Sequence, residues 1–359
     1  MKSKILTITF IFFVSLLYIF SKEVWDAGCA PAKPKYEFQK GMCYVTWNKD
    51  RYASKSSDES LERLAKTGTK WVAIVPTWYQ QQCHTAKIFP TENSPADSSV
   101  IHAIDIAHSL GMKVMLKPHL DLIDLSSGSW RGEIACVSEP EWNEWFQSYR
   151  DFILHYAKIA EEHNVEMLCI GTELTTVAMI RDDMWKNIVI KPVRQIYRGF
   201  LTYAANWNDE FNHVGFWDAL DYVGIDAYYP LSEKDRPSFG EIKDGWQKWV
   251  KELEEFQAKV KKPIIFPEVG YYSAKGTARK PWEEPNRGEI DVELQADCYQ
   301  ALLETFWDKD WFYGVYWWKW GTNVRFGGLL NRGYSMQNKP AQDIVKAWYN
   351  KPVPKKKKF

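Results

Sequence analysis

The sequence has no excess of charge of either sign: 46 Lys and Arg balance 46 Asp and Glu. No global basic excess therefore argues for nucleic acid, and no acidic excess for a cationic partner. No Cys-x-x-Cys pair occurs, and the seven His are scattered without paired ligand spacing. A zinc knuckle, a dithiol redox motif and a helical metal site therefore lack their ligands, and no metal is expected. No Gly-rich phosphate-binding turn follows an early strand, which argues against a doubly wound nucleotide-binding sheet. No short repeat recurs, so a solenoid is disfavoured.

One long apolar run is present, at the extreme N-terminus. Lys2 and Lys4 precede Ile5–Phe20, and Ser21, Lys22 and Glu23 end it. Residues 1–22 are expected to be a signal peptide or an N-terminal membrane anchor, placing the protein outside the cytoplasm, secreted or facing outward. Bulky Trp25 and charged Asp26 suit a cleavage site poorly, so removal of the segment stays open. Residues 23–40, with Pro31 and Pro34, read as a linker, residues 41–350 as one catalytic domain, and residues 351–359 as a basic flexible tail. A monomer is expected. Of the six cysteines, Cys43 and Cys169 fall in strand-like segments and read as buried thiols, whereas Cys83 and Cys136 fall in loops, where pairing is open.

Between the ends, short apolar runs alternate with longer amphipathic ones. Strands are predicted at 42–47, 70–76, 112–118, 166–172, 200–206, 221–228, 263–268 and 312–318. Helices are predicted at 57–67, 96–110, 139–163, 181–197, 240–260, 291–308 and 340–349. Segment 139–163 repeats apolar residues at three/four spacing, with Ser138 as N-cap and Glu141 three residues on. Eight strands alternating with helices predict an α/β fold, a single (β/α)₈ TIM barrel, and 359 residues suit one elaborated barrel.

Aromatic content is high at 16%, with 19 Trp and 19 Tyr. Sugars present flat C–H faces that stack on such rings, so carbohydrate is one expected partner class. In a (β/α)₈ barrel the chemistry lies at the C-terminal strand ends. Strand four ends in Gly171-Thr172-Glu173 and strand seven in Pro267-Glu268-Val269. Simple alternation puts Glu173 on the face of Cys169 and Gly171, and Glu268 on the face of Ile264 and Phe266. If both faces point inward, two carboxylates enter one mouth, which is the apparatus of glycoside hydrolysis.

Several segments together carry a family resemblance: 43–54 (CYVTWNKDRYAS), 71–80 (WVAIVPTWYQ), 111–121 (GMKVMLKPHLD), 130–134 (WRGEI), 169–174 (CIGTEL), 221–230 (DYVGIDAYYP), 266–273 (FPEVGYYS) and 314–320 (GVYWWKW). Over residues 41–348 the chain resembles glycoside hydrolase family 113, a branch of clan A whose members are mainly β-mannanases. The resemblance implies a retaining enzyme acting on β-1,4-mannan or manno-oligosaccharides, with Glu173 as acid/base and Glu268 as nucleophile. No cofactor is required, since protonation and carboxylate attack supply the chemistry. One departure is Thr172, which stands where many clan members carry an Asn that binds the sugar 2-hydroxyl. Another specificity, for glucan or a different β-glycoside, and a non-catalytic glycan-binding barrel are the competing readings.

Around the carboxylates, Tyr228 ends strand six and is placed to hydrogen-bond Glu268, as a strand-six Tyr does in similar clan members. Lys117, His119 and Asp121 alternate on one face after strand three, where Lys117 and His119 are candidates for sugar hydroxyls. Arg131, in the following loop, and Asn206, ending strand five, are further candidates for substrate or for the acid/base. Asp226 shares the parity of Tyr228 and is expected one layer deeper. Trp47 and Trp78 fall at or after strand ends, as do Trp207, Trp317 and Trp320, and Trp47 and Trp78 are candidate substrate-binding residues. Trp318 is the expected sugar platform, since a Trp commonly ends strand eight in clan A, with Trp317 as the alternative if parity shifts by one.

Overall fold

The computed structural model describes residues 35–126, 128–284 and 288–359. The predicted signal or anchor segment lies outside them. Among the described residues there are ten strands: β1 Gln39–Val45, β2 Trp71–Val75, β3 Thr77–Gln80, β4 Lys113–Leu116, β5 His119–Leu122, β6 Met167–Thr172, β7 Phe200–Asn206, β8 Val223–Asp226, β9 Ile264–Val269 and β10 Phe312–Gly321. Eight of them close a parallel barrel in the order β1-β10-β9-β8-β7-β6-β4-β2. The fold is the expected (β/α)₈ barrel.

The predicted second and third strands are each interrupted. Pro76 and Pro118 cannot donate to a ladder. Beyond them the chains re-pair as the parallel sheet β3/β5, with Thr77 opposite His119 and Gln80 opposite Leu122. This small sheet rises from the C-terminal rim of the barrel.

Inward-facing residues such as Cys43, Val45, Ala73, Met115, Cys169 and Ile265 fill the barrel interior. Outward-facing residues join the helices in a larger core. The helix Glu139–Glu162 buries Trp142, Trp145, Phe146, Tyr149, Phe152, Ile153 and Tyr156 and starts with the predicted Ser138/Glu141 capping box. The single helix predicted at 181–197 is instead Asp182–Met184, a π-helical stretch Trp185–Ile190, and Lys191–Ile196. Pro192 lacks the amide donor that a continuous α-helix needs, and the backbone changes hydrogen-bond spacing ahead of it.

The ends of the described chain pack against the barrel. Tyr36 stacks on Phe200 and Phe38 meets Trp307 edge-on, so the strand region begins earlier than the 23–40 linker allows. The C-terminal segment is not a free tail. Lys356 Nζ donates to the carbonyls of Trp307 and Lys309, Tyr313 donates to Lys357 O, and Phe359 meets Tyr36 and Tyr313. These contacts cover the N-terminal face, opposite the candidate site. Cys83 and Cys136 are free thiols on adjoining loops, linked through Ala135 N–H to Cys83 O.

Candidate active site

At the C-terminal face lies a cleft of about 930 Å³ lined by Trp47, Tyr79, His119, Asp121, Leu122, Leu125, Trp130, Arg131, Glu173, Asn206, Trp207, Asn208, Tyr228, Glu268, Trp282, Trp318 and Tyr334. Both candidate carboxylates face it. They do not arrive there by simple alternation. Between Cys169 and Thr172, β6 spans three positions while its partner spans two, Thr202 to Ala204. Between Ile265 and Glu268, β9 does the same against Gly224 to Asp226. A third extra residue falls on β10, where Trp317 to Trp320 faces Met42 to Tyr44. Each is a β-bulge, and a bulge re-aims the side chains beyond it. Ile264 and Phe266 accordingly face the helices while Glu268 faces the cleft. Likewise Trp317 stacks outward on Tyr299 at 3.9 Å between centroids, and Trp318 enters the cleft.

The β6 bulge exploits Gly171. A Cβ there would lie 2.7 Å from the Tyr203 ring and 2.9 Å from the Tyr149 hydroxyl, so only glycine lets these rings pass behind the strand end. Glu173 follows with φ +51°, a left-handed backbone that L residues adopt at a cost of about 1 kcal/mol or more.

The two carboxylates sit in opposite environments. Tyr228 donates its phenol to Glu268 Oε1 at 2.7 Å, and Lys117 donates to Oε2 at 2.7 Å. Asp226 Oδ2 is 3.6 Å from the same ammonium, one layer down as expected. Burial opposes the charge on Lys117, but Asp226 and Glu268 outweigh it and raise its pKa, so the lysine stays cationic. Lys117 is fully buried and contacts no solvent-filled space, so it holds Glu268 and does not bind sugar hydroxyls as expected.

Glu173 receives a hydrogen bond from Asn206 Nδ2 at 2.8 Å, and Arg131 Nη1 stands 3.6 Å from its other oxygen. Burial raises its pKa above the ordinary carboxylate value, Arg131 opposes this, and the charge of Glu268 adds to it. Arg131 is fixed in turn by Asp121, which accepts from its Nε at 3.0 Å and from its Nη2. The turn Arg131–Glu133 that carries it is tied down by Thr176, whose hydroxyl donates to Gly132 O.

His119 lies between these groups. Burial and the cations Lys117 and Arg131 push its pKa well below the ordinary value, so the ring is neutral. Its Nε2 is buried with no hydrogen-bond partner and lies 3.9 Å from Glu268 Oε2. The ring stacks on Trp318 with centroids 6.0 Å apart. Trp318 meets Trp47 edge-on, and the Lys319 ammonium lies over both indoles, closing an aromatic corner beside Glu268. Thr172 is buried and its Oγ1 has no protein partner.

Trp78 is not in the cleft. It packs on Phe152, His155 and Tyr156 of the long helix, because the neighbouring position on β3, Tyr79, takes the cleft face. Tyr79, Trp130, Trp282 and Tyr334 line the cleft without having been singled out from the sequence. Trp282 stacks on Trp207 at 5.2 Å, and Tyr334 packs edge-on against Tyr228. Trp282 and Tyr334 lie on the long loops after β9 and β10, where no periodic pattern marks a cleft residue. Among the described residues no group of side chains is arranged to hold a metal ion.

A parallel eight-stranded barrel with two glutamates on bulged strand ends, facing one aromatic cleft, is the architecture of a TIM-barrel glycoside hydrolase. The model of glycoside hydrolase family 113 matches residues 42–339, and the chain belongs to that family. Two solved structures lie close. A family 113 β-1,4-mannanase is 32% identical, with TM-score 0.77 over 88% of this chain and 100% of the other. The family 113 β-mannanase of Alicyclobacillus acidocaldarius is 30% identical, with TM-score 0.78 over 87% and 97%. A β-glucuronidase from Ruminococcus gnavus, at 14% identity and TM-score 0.59 over 89% of this chain and 50% of the other, shares the fold alone. Comparison with curated proteins gave no significant match.

Proposed function

We propose that the protein is a retaining β-mannanase that cleaves β-1,4-mannan or manno-oligosaccharides by double displacement. The observation that carries this reading is the contrast between the two carboxyl groups of one cleft. Glu268 is gripped at both oxygens by an ammonium and a phenol, which complement a carboxylate and aim it. Glu173 has its pKa raised by burial, which favours the protonated acid.

In the first step a Glu268 oxygen attacks the anomeric carbon. The glycosidic C–O bond breaks, and the Glu173 proton passes to the departing oxygen. In the second step the Glu173 carboxylate takes a proton from water. The water oxygen attacks the anomeric carbon, the ester to Glu268 breaks, and both groups regain their starting states. Asn208 lines the cleft and is placed to meet sugar hydroxyls, and Trp318 with Trp47 offers an aromatic face beside Glu268. The mannan preference is supported by the family 113 mannanases of similar structure. The N-terminal sequence supports export, with residues 1–22 acting as signal or anchor.

Reducing-sugar release from mannan, glucan and xylan tests the substrate. Activity confined to glucan retires the mannan assignment, and tight binding without turnover at any pH makes this a binding barrel. For the roles, added azide should rescue Glu173→Ala on a dinitrophenyl glycoside, whereas Glu268→Ala should have no retaining turnover. The reverse pattern exchanges the two assignments.

A further inference from the structure

Behind the cleft, on the β7 side, lies a carboxyl group with no part in the chemistry described so far. Glu210 opens the one-turn helix Glu210–His213 and is fully buried. An isolated carboxylate in such a place is strongly disfavoured. Three donors meet this one. The Tyr203 hydroxyl donates to Oε1 at 2.5 Å, and the Thr175 hydroxyl and the Asn206 backbone N–H donate to Oε2 at 2.9 and 2.7 Å.

All three donors lead to Glu173. The Asn206 side chain donates to Glu173 Oε1 at 2.8 Å. The Tyr203 oxygen accepts the N–H of Leu174, the residue after Glu173, at 2.9 Å. Thr175 starts the short helix that continues from this point. Glu210 therefore grips both the side chain's hydrogen-bond partner and the backbone on which the side chain is mounted. That backbone is in the left-handed conformation, which neighbouring contacts must hold in place.

We propose that Glu210 is a positioning residue that aims Glu173 at the leaving-group oxygen; this rests on the assignment of Glu173 as the acid/base. A purely structural Glu210 predicts equal losses on all substrates when it is removed. A residue that aims the acid predicts losses only where a proton is needed.

The test compares kcat/KM on mannohexaose, whose leaving sugar requires protonation, with kcat/KM on 2,4-dinitrophenyl β-mannobioside, whose leaving group does not. Cellohexaose and the matching cellobioside replace them if the wild type cleaves only glucan. Glu210→Ala should lose about 100-fold on the oligosaccharide and less than about 3-fold on the aryl glycoside, with KM little changed. Glu210→Gln keeps an oxygen for the Asn206 N–H and should recover most of the loss. Tyr203→Phe, which frees the Leu174 N–H, should show the same skew more weakly. If thermal melts show that the alanine variant does not fold, Tyr203→Phe decides. Equal losses on both substrates overturn the proposal. Glu173→Ala is the reference: a skew there with none in the Glu210 and Tyr203 variants removes this proposal alone, whereas no skew there removes the acid/base assignment and this proposal with it.

Discussion

Lys117 Nζ stands 2.7 Å from Glu268 Oε2 and 3.6 Å from Asp226 Oδ2, in a layer closed to solvent. One ammonium thus serves two buried carboxyl groups. Removing it leaves both without a cation, and breaking a buried ion pair in this way costs roughly 3–5 kcal/mol. Lys117→Met should lower stability by about that amount in denaturant titration and reduce kcat at least ~100-fold. A variant of wild-type stability would show that the three groups are not coupled as the geometry states.

Tyr228→Phe removes only the donor to Glu268 Oε1. The ring keeps its place against Tyr334, so stability should fall by about 1 kcal/mol. The kcat should drop roughly 10- to 100-fold with KM nearly unchanged, if the phenol serves the nucleophile in the transition state. A rise in KM with kcat intact would make it a simple substrate contact.

The pH profile should carry the mark of Glu173. A general acid works only while protonated, so activity is lost as pH rises through its pKa. Burial raises that pKa and Arg131 lowers it. The basic limb of kcat/KM should therefore lie above the ordinary carboxylate range, and Arg131→Met should move it further upward. A downward shift would mean that Arg131 does not act on Glu173 by charge.

Glu210 makes a separate prediction about stability. Burial raises its pKa from 4.5 to about 7, against the hydrogen bonds from Tyr203, Asn206 and Thr175. In this range the native state holds a proton that the unfolded chain has released. Its contribution to stability is thus full below pH 4.5 and is lost as pH rises to about 7, by roughly 3 kcal/mol. Melting curves from pH 4.5 to 8 should show that decline in the wild type and less of it in Glu210→Gln. Parallel curves for the two proteins would count against it.

Two tryptophans that look alike in the sequence should behave oppositely. Trp318→Ala should raise KM for oligosaccharide and leave the melting temperature nearly unchanged, because the ring lines the cleft. Trp78→Ala should cost about 2 kcal/mol of stability and spare KM, because its half-buried ring packs on the long helix.

The barrel was legible because its strands and helices have different apolar periods, and both carboxylates were legible because they stand at strand ends. Alternation failed at the bulges. Counting by twos from Ile264 turns Glu268 toward the helices, and the one mark of the extra residue that reverses it is Pro267, which has no N–H to give a central ladder. Pro76 and Pro118 were visible, but the re-pairing of the chains beyond them was not, so Trp78 was assigned to the wrong side. Lys117 read as a surface-seeking cation because its two buried partners are over a hundred residues away. Glu210 follows Trp207-Asn208-Asp209 and reads as one more polar loop residue, since only folding places Tyr203 and Thr175 around it.

The paired ribbon β3/β5 gives the substrate channel one bank of a different material from the other. On that side Tyr79, Asp121 and Leu122 are held by main-chain hydrogen bonds. The facing bank, with Trp207, Trp282 and Tyr334, hangs on connecting loops. Insertions and deletions are tolerated in loops far more readily than within a ladder. Differences in the length or branching of glycan accepted should therefore accumulate on the loop bank and spare the ribbon.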